Sequence, residues 1–155
     1  LQVAVVFDPC RNDLYTASRG AGAYLNEKRI RVSKRDKLID CLIGTGFPFK
    51  ANSDIETYTE MFKTIALNTA GIRRPGAAAL DLANVAAGRL DGFWEIGLSP
   101  WDMAAGALLI KEAGGLVGDL EGEDQYLETG KIIAGNPKIF AQMLSALRPH
   151  SKKLT

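Results

Sequence analysis

The stretch EIGLSPWDMAAGALLIKEAGG, residues 95–115, decides how this chain reads. Ser99-Pro100-Trp101-Asp102 has the form of a helix start, with serine at the N-cap, proline at the first helical position and an acid at the third. The helix it opens is expected over 101–113, closed by Gly114-Gly115. It has no polar stripe, which predicts burial on every side. Ala104, Ala105 and Gly106 are small enough to let another backbone approach closely. A carboxylate at the mouth of a buried helix is costly unless something cationic meets it. Asp102 is therefore either a cap facing the helix dipole or a metal ligand, and the helix N-terminus beside it also favours a phosphate that a metal would hold. Glu95 closes an apolar strand expected over 92–96 and carries the same tension. It is an edge-strand acid facing solvent, or it lines one cleft with Asp102.

Outward from this stretch, the second half alternates strands and helices. A helix is expected over 77–87 with Gly88 at its C-cap, strands over 116–119 and 132–135, and a last helix over 138–147 after Pro137. Upstream, apolar spacing predicts a helix over 57–70 ended by Gly71, then a brief strand at 72–74. The first third reads as strands at 3–7, 14–17, 23–25 and 29–32, an antiparallel meander with turns at Gly20 to Gly22 and Asn26-Glu27; another strand is expected at 41–45. The fold class is α/β, a layered domain with a mixed sheet and helices packed on it.

Length and composition narrow the function. At 155 residues the chain fits one domain, and its apolar fraction of 46% with 24% charged residues is that of a soluble globular protein. A net charge of +1 leaves no electrostatic footprint for direct nucleic-acid binding. No apolar run approaches a membrane span. Cys10 and Cys41 form no Cys-x-x-Cys pair and read as buried thiols in a reducing cytosol, so a cytoplasmic location is expected. The chain opens on LQVAVVFDP, already inside a strand, which suggests the later part of a longer polypeptide. His150 is the single histidine, so histidine triads and histidine-rich zinc sites are excluded. Gly20-Ala-Gly22 and Gly44-Thr-Gly46 lack the third glycine of a dinucleotide fingerprint and read as turns. Catalysis must rest on carboxylates, which without histidine favour hard cations such as magnesium.

The segment GIRRPGAAALDLANVAAGRLDGFWEIGLSPWDMAAGALLIKEAGG resembles the second signature of the inositol monophosphatase family, in its bacterial, SuhB-type branch. Its core is Trp-Asp-x-Ala-Ala-Gly, a long helix and Glu-Ala-Gly-Gly. The resemblance extends through VAVVFDP, LYTASRGAGAYLNEKRIRVS, GTGFPF and IIAGNPKI, essentially the whole chain. It implies the layered α-β-α-β-α fold shared with fructose-1,6-bisphosphatase and a magnesium-dependent, lithium-sensitive phosphatase. The substrate implied is inositol monophosphate or another small phosphorylated polyol; histidinol phosphate, nucleotide 3′-phosphates and fructose bisphosphate are the alternatives. By the same resemblance Asp102 is a magnesium ligand. Glu95 holds a ring hydroxyl, Gly76, Ala77 and Ala78 touch the substrate, and Arg73 lies near it. A homodimer and partners in transcription antitermination complexes are also implied. The family's other signature, Asp-Pro-x-Asp-Gly-Thr, is absent: Cys-Arg-Asn-Asp follows Asp8-Pro9. Residues 1–155 therefore read as the C-terminal part of such a domain, with no residue assigned to catalysis itself. Pro75 and Ala77 replace a small polar pattern, which leaves open how closely the 73–78 loop approaches a ligand.

Overall fold

The computed structural model describes residues 1–48 and 54–152. Four strands form an antiparallel meander in sequence order: β1 (Val3–Asp8), β2 (Asp13–Ser18), β3 (Gly22–Leu25) and β4 (Lys28–Arg29). Asp8 makes the first reversal, its Oδ1 accepting from the Cys10 and Arg11 amides. Cys10 rides exposed on that hairpin, so only Cys41 is the buried thiol expected of both. The strand expected over 29–32 is shorter: the Ile30 amide still donates to the Ala23 carbonyl of β3, after which the chain leaves the sheet and the Val32 amide donates instead to the Ala113 carbonyl.

A five-stranded mixed sheet follows, in the order β6-β5-β7-β9-β8. It contains β5 (Leu42–Thr45), β6 (Gly71–Arg73), β7 (Gly92–Ile96), β8 (Leu116–Gly118) and β9 (Lys131–Gly135). β5 runs parallel to β6 and β7, while β9 is antiparallel to β7 and β8. The helices are α1 (Ile55–Leu67), α2 (Ala78–Ala86), α3 (Pro100–Glu112), the short α4 (Tyr126–Thr129) and α5 (Pro137–Ser151). α4 and a 3-10 turn at Leu38–Asp40 carry too little periodicity to be visible in the sequence. α1 starts and ends earlier than the pattern suggested: Asp54 caps it by accepting from the Thr57 amide, and Asn68, not Gly71, closes it.

Two cores explain the layering. One joins the meander (Ala4, Tyr15, Ala17), α2 and α3 (Leu82, Met103, Leu109) and one face of the large sheet (Phe93, Ile132, Ala134). The other joins the opposite face (Ile43, Trp94, Ile133) to α1 and α5 (Met61, Ile65, Met143, Leu147). The described residues are thus stacked β-α-β-α. α3 lies between two sheets and against α2, which is why it needs no polar stripe. A Cβ on Gly106 would overlap the Leu82 side chain, so the small-residue run does bring two helices together. Trp101 breaks the burial rule: in the first turn, beyond the sheets, it is 80% exposed.

Polar side chains hold the layers in register. Glu112 at the end of α3 accepts from the Gly20 and Gly22 amides at 2.8 Å each, which fixes the glycine turn and holds its carboxyl below the usual range. Asp91 receives the Ser33 hydroxyl and the Leu42 amide, tying the irregular connector between the sheets to β5. The Asn136 amide group reaches the Ser33 and Arg35 carbonyls from the far side.

Candidate functional site

The carboxyl ends of the parallel strands β5 and β7 open onto a cavity of about 310 Å³. Crevices at such strand ends are where open α/β sheets place ligands, because loops diverge there above a rigid floor. Gly46, Phe47 and Pro48 continue from β5, Glu95 to Ser99 continue from β7, Arg74 and Gly76 to Ala78 form the opposite wall, and Asp81 and Asp102 enter from α2 and α3.

Glu95 and Asp102 therefore do line one cleft. Glu95 is not an edge-strand acid, since β7 is the middle strand of its sheet and the residue is only 8% exposed. Its carboxylate lies where a Cβ on Gly46 would be, so the β5 end must be bare for the acid to fit. Asp102 is a cap as well as a wall residue: its Oδ2 accepts from the Ser99 amide at 2.9 Å in a capping box. Gly76, with φ +97°, turns the chain into α2. Ala77, the N-cap, has no side chain able to cap, so the first amides of α2 remain available beside the cavity. That end attracts anions.

Arg73 lies outside the cavity lining; its Nη1 turns back to the Ile72 carbonyl. Arg74 takes the place beside the cavity, its guanidinium 5.2 Å above the Phe47 ring. Successive residues of extended chain point to opposite sides, so a one-residue difference decides which arginine faces inward. Asp81 was not visible in advance because AAALDLAN reads as ordinary helix. An acid set among apolar residues on a buried face was the available signal.

Burial pushes the Asp81 carboxyl up to about 7, opposed by the Arg74 charge. Burial also raises Glu95 to about 7, with Asp81 and Asp102 adding repulsion and Arg74 opposing them. In the folded, metal-free protein these groups hold protons that the unfolded chain releases near pH 4. Between these values the folded state binds more protons, so their contribution to stability falls as pH rises from about 4 to about 7 and levels off above. Urea unfolding in chelator is expected to show this decline, and the Asp81→Asn, Glu95→Gln double variant to flatten it. Identical profiles for parent and variant would contradict the burial.

Carboxylate oxygens suit a hard cation, and Asp102 has one oxygen not engaged in capping. Among the described residues, however, no group of three or more acidic, cysteine or histidine side chains converges closely enough to hold an ion. Asp102 fits as one ligand of a sphere that other groups would complete. No helix among the described residues is long and apolar enough to cross a membrane.

Comparison with known proteins agrees over nearly the whole length. The chain is 57% identical over 152 residues to the Nus factor SuhB of Pseudomonas aeruginosa, covering 97% of this chain and 56% of that protein. It is 53% identical over 147 residues to the Nus factor SuhB of Escherichia coli, covering 95% of this chain and 55% of the other. The extragenic suppressor protein SuhB of Bartonella henselae superposes with a TM-score of 0.91 at 47% identity, over 95% of this chain and 56% of that one. Inositol monophosphatase from Anabaena gives a TM-score of 0.91 at 40% identity, over 96% of this chain and 60% of its own. The chain thus spans a little over half the length of these relatives. Residues 1–153 match the model of the inositol monophosphatase family, and with the close superposition on solved relatives this chain belongs to that family.

Proposed function

We propose that this chain forms the substrate-facing part of a magnesium-dependent phosphomonoesterase that releases inositol and phosphate from inositol monophosphate. The observation that carries the reading is that Glu95, Asp102 and the uncapped start of α2 border one cavity. Asp102 would contribute one oxygen to magnesium. Bound magnesium supplies an activated water and stabilises the leaving alkoxide. The chain's own residues bind and orient. The amides at the start of α2 and the Arg74 charge favour the phosphate, and Glu95, an acceptor when ionised, takes ring hydroxyls. The acids that would complete the metal site are expected from the Asp-Pro-x-Asp-Gly-Thr signature, which this chain does not contain. Histidinol phosphate, nucleotide 3′-phosphates and fructose bisphosphate fit the same chemistry. Lithium sensitivity, a homodimer and a cytoplasmic location belong to this reading too.

The relatives named as Nus factors support a second, compatible role as a protein partner in transcription complexes. The net charge of +1 favours protein contacts over direct RNA contacts for that role.

Glu95→Gln tests the phosphatase reading in the gene-encoded protein, with whatever residues flank Leu1 and Thr155 there. A hydrogen bond to a charged acceptor corresponds to about 10–100-fold in kcat/KM for inositol monophosphate, while nitrophenyl phosphate should change less than about threefold. Equal losses on both substrates would remove Glu95 from hydroxyl recognition.

A further inference from the structure

The buried aspartates of this chain differ in one respect. Asp91 accepts from Ser33 and the Leu42 amide, Asp13 from Arg89 and Asn26, and Asp119 from the Glu121 and Glu123 amides. Asp81, 1% exposed, has an Oδ1 with no hydrogen-bond partner. Its amide bonds to the Ala77 carbonyl, placing it in the first turn of α2 on the cavity wall. A first-turn acid that served only the helix dipole would do so from solvent, without losing its hydration. A buried acid oxygen left unpaired destabilises a fold unless a ligand completes it.

Resting on the phosphatase reading above, we propose that Asp81 is a specificity-determining residue: beside Glu95 it offers a second carboxyl to a substrate hydroxyl, so that the site prefers phosphate esters carrying neighbouring hydroxyl groups. Two observations place the pair together. Both acids line the same cavity, from α2 and from the end of β7. Among the charges acting on Glu95, that of Asp81 outweighs that of Asp102. Arg74 and the α2 amides on the neighbouring wall suit the phosphate, which leaves the paired carboxyls for the polyol. An apolar or aryl leaving group would leave Asp81 unsatisfied, and this is how a buried polar group discriminates.

The test uses the gene-encoded protein, inositol monophosphate and nitrophenyl phosphate. Asp81→Asn and Asp81→Leu are expected to lower kcat/KM for inositol monophosphate about tenfold or more and that for nitrophenyl phosphate less than about twofold. Their melting temperatures should stay level or rise, because an unpaired buried acid is removed. A structural role would move stability downward and both substrates together, and that result overturns the assignment. A parent that hydrolyses both esters and keeps its preference in both variants overturns the role of Asp81 alone. A parent that neither binds nor hydrolyses either ester overturns the phosphatase reading with it.

Discussion

Asp102→Asn in the gene-encoded protein is expected to lower magnesium-dependent turnover about 10²–10⁴-fold, the loss that follows removal of a preorganised charge at a reacting centre. Stability should change little. The wild-type carboxylate accepts from the Ser99 amide at 2.9 Å, and an asparagine carbonyl oxygen can accept the same bond. The remaining loss is the charge facing the helix dipole, about 0.3–1 kcal/mol at a partly exposed first turn. The observed cap and the proposed ligand role therefore separate in one variant: the cap survives and the charge does not. Activity per folded molecule, measured against magnesium concentration, is the deciding quantity. A variant with normal turnover and a lowered melting temperature would reduce Asp102 to a cap.

Gly46→Ala is expected to abolish polyol preference as thoroughly as removing Glu95 itself, although residue 46 has no side chain to contact a ligand. The added Cβ would occupy the space of the Glu95 carboxylate. That carboxylate is the far end of a flexible side chain, so the relief is a rotation of Glu95 away from the cavity floor, not a shift of β5 or β7. The energetic cost of the rotation is small, and it releases a buried acid, so the melting temperature should hold within a few degrees. Discrimination between inositol monophosphate and nitrophenyl phosphate should fall about 10–100-fold. Combining Gly46→Ala with Glu95→Gln should add nothing, because both act on one group, and such non-additivity marks direct coupling. Additive losses, or an unfolded Gly46→Ala protein, would show that the strand end and not the Glu95 position is disturbed.

The sequence by itself determined the order of the strands and longer helices and the burial of α3. Those depend on local periodicity and caps, and α3 from Pro100 with its Ser99–Asp102 box lies within a residue of its pattern. The pairing of Glu95 with Asp102 was also legible, since a strand end and a helix start joined by a tight turn can hardly lie apart. Only the tertiary structure decided the rest. β7 became the central strand because β5 and β9 pair on its two sides, through residues 49 and 43 positions away in the chain, Ile43 with Gly92 and Gly92 with Gly135. That placement, not the local sequence, buried Glu95 and required a bare Gly46 against it. The choice of Arg74 over Arg73 and the unpartnered Asp81 Oδ1 arose in the same way. Which side of an extended chain faces a cavity, and whether an acid in a helix finds a partner, are settled by neighbours distant in sequence, and no window of local pattern contains them.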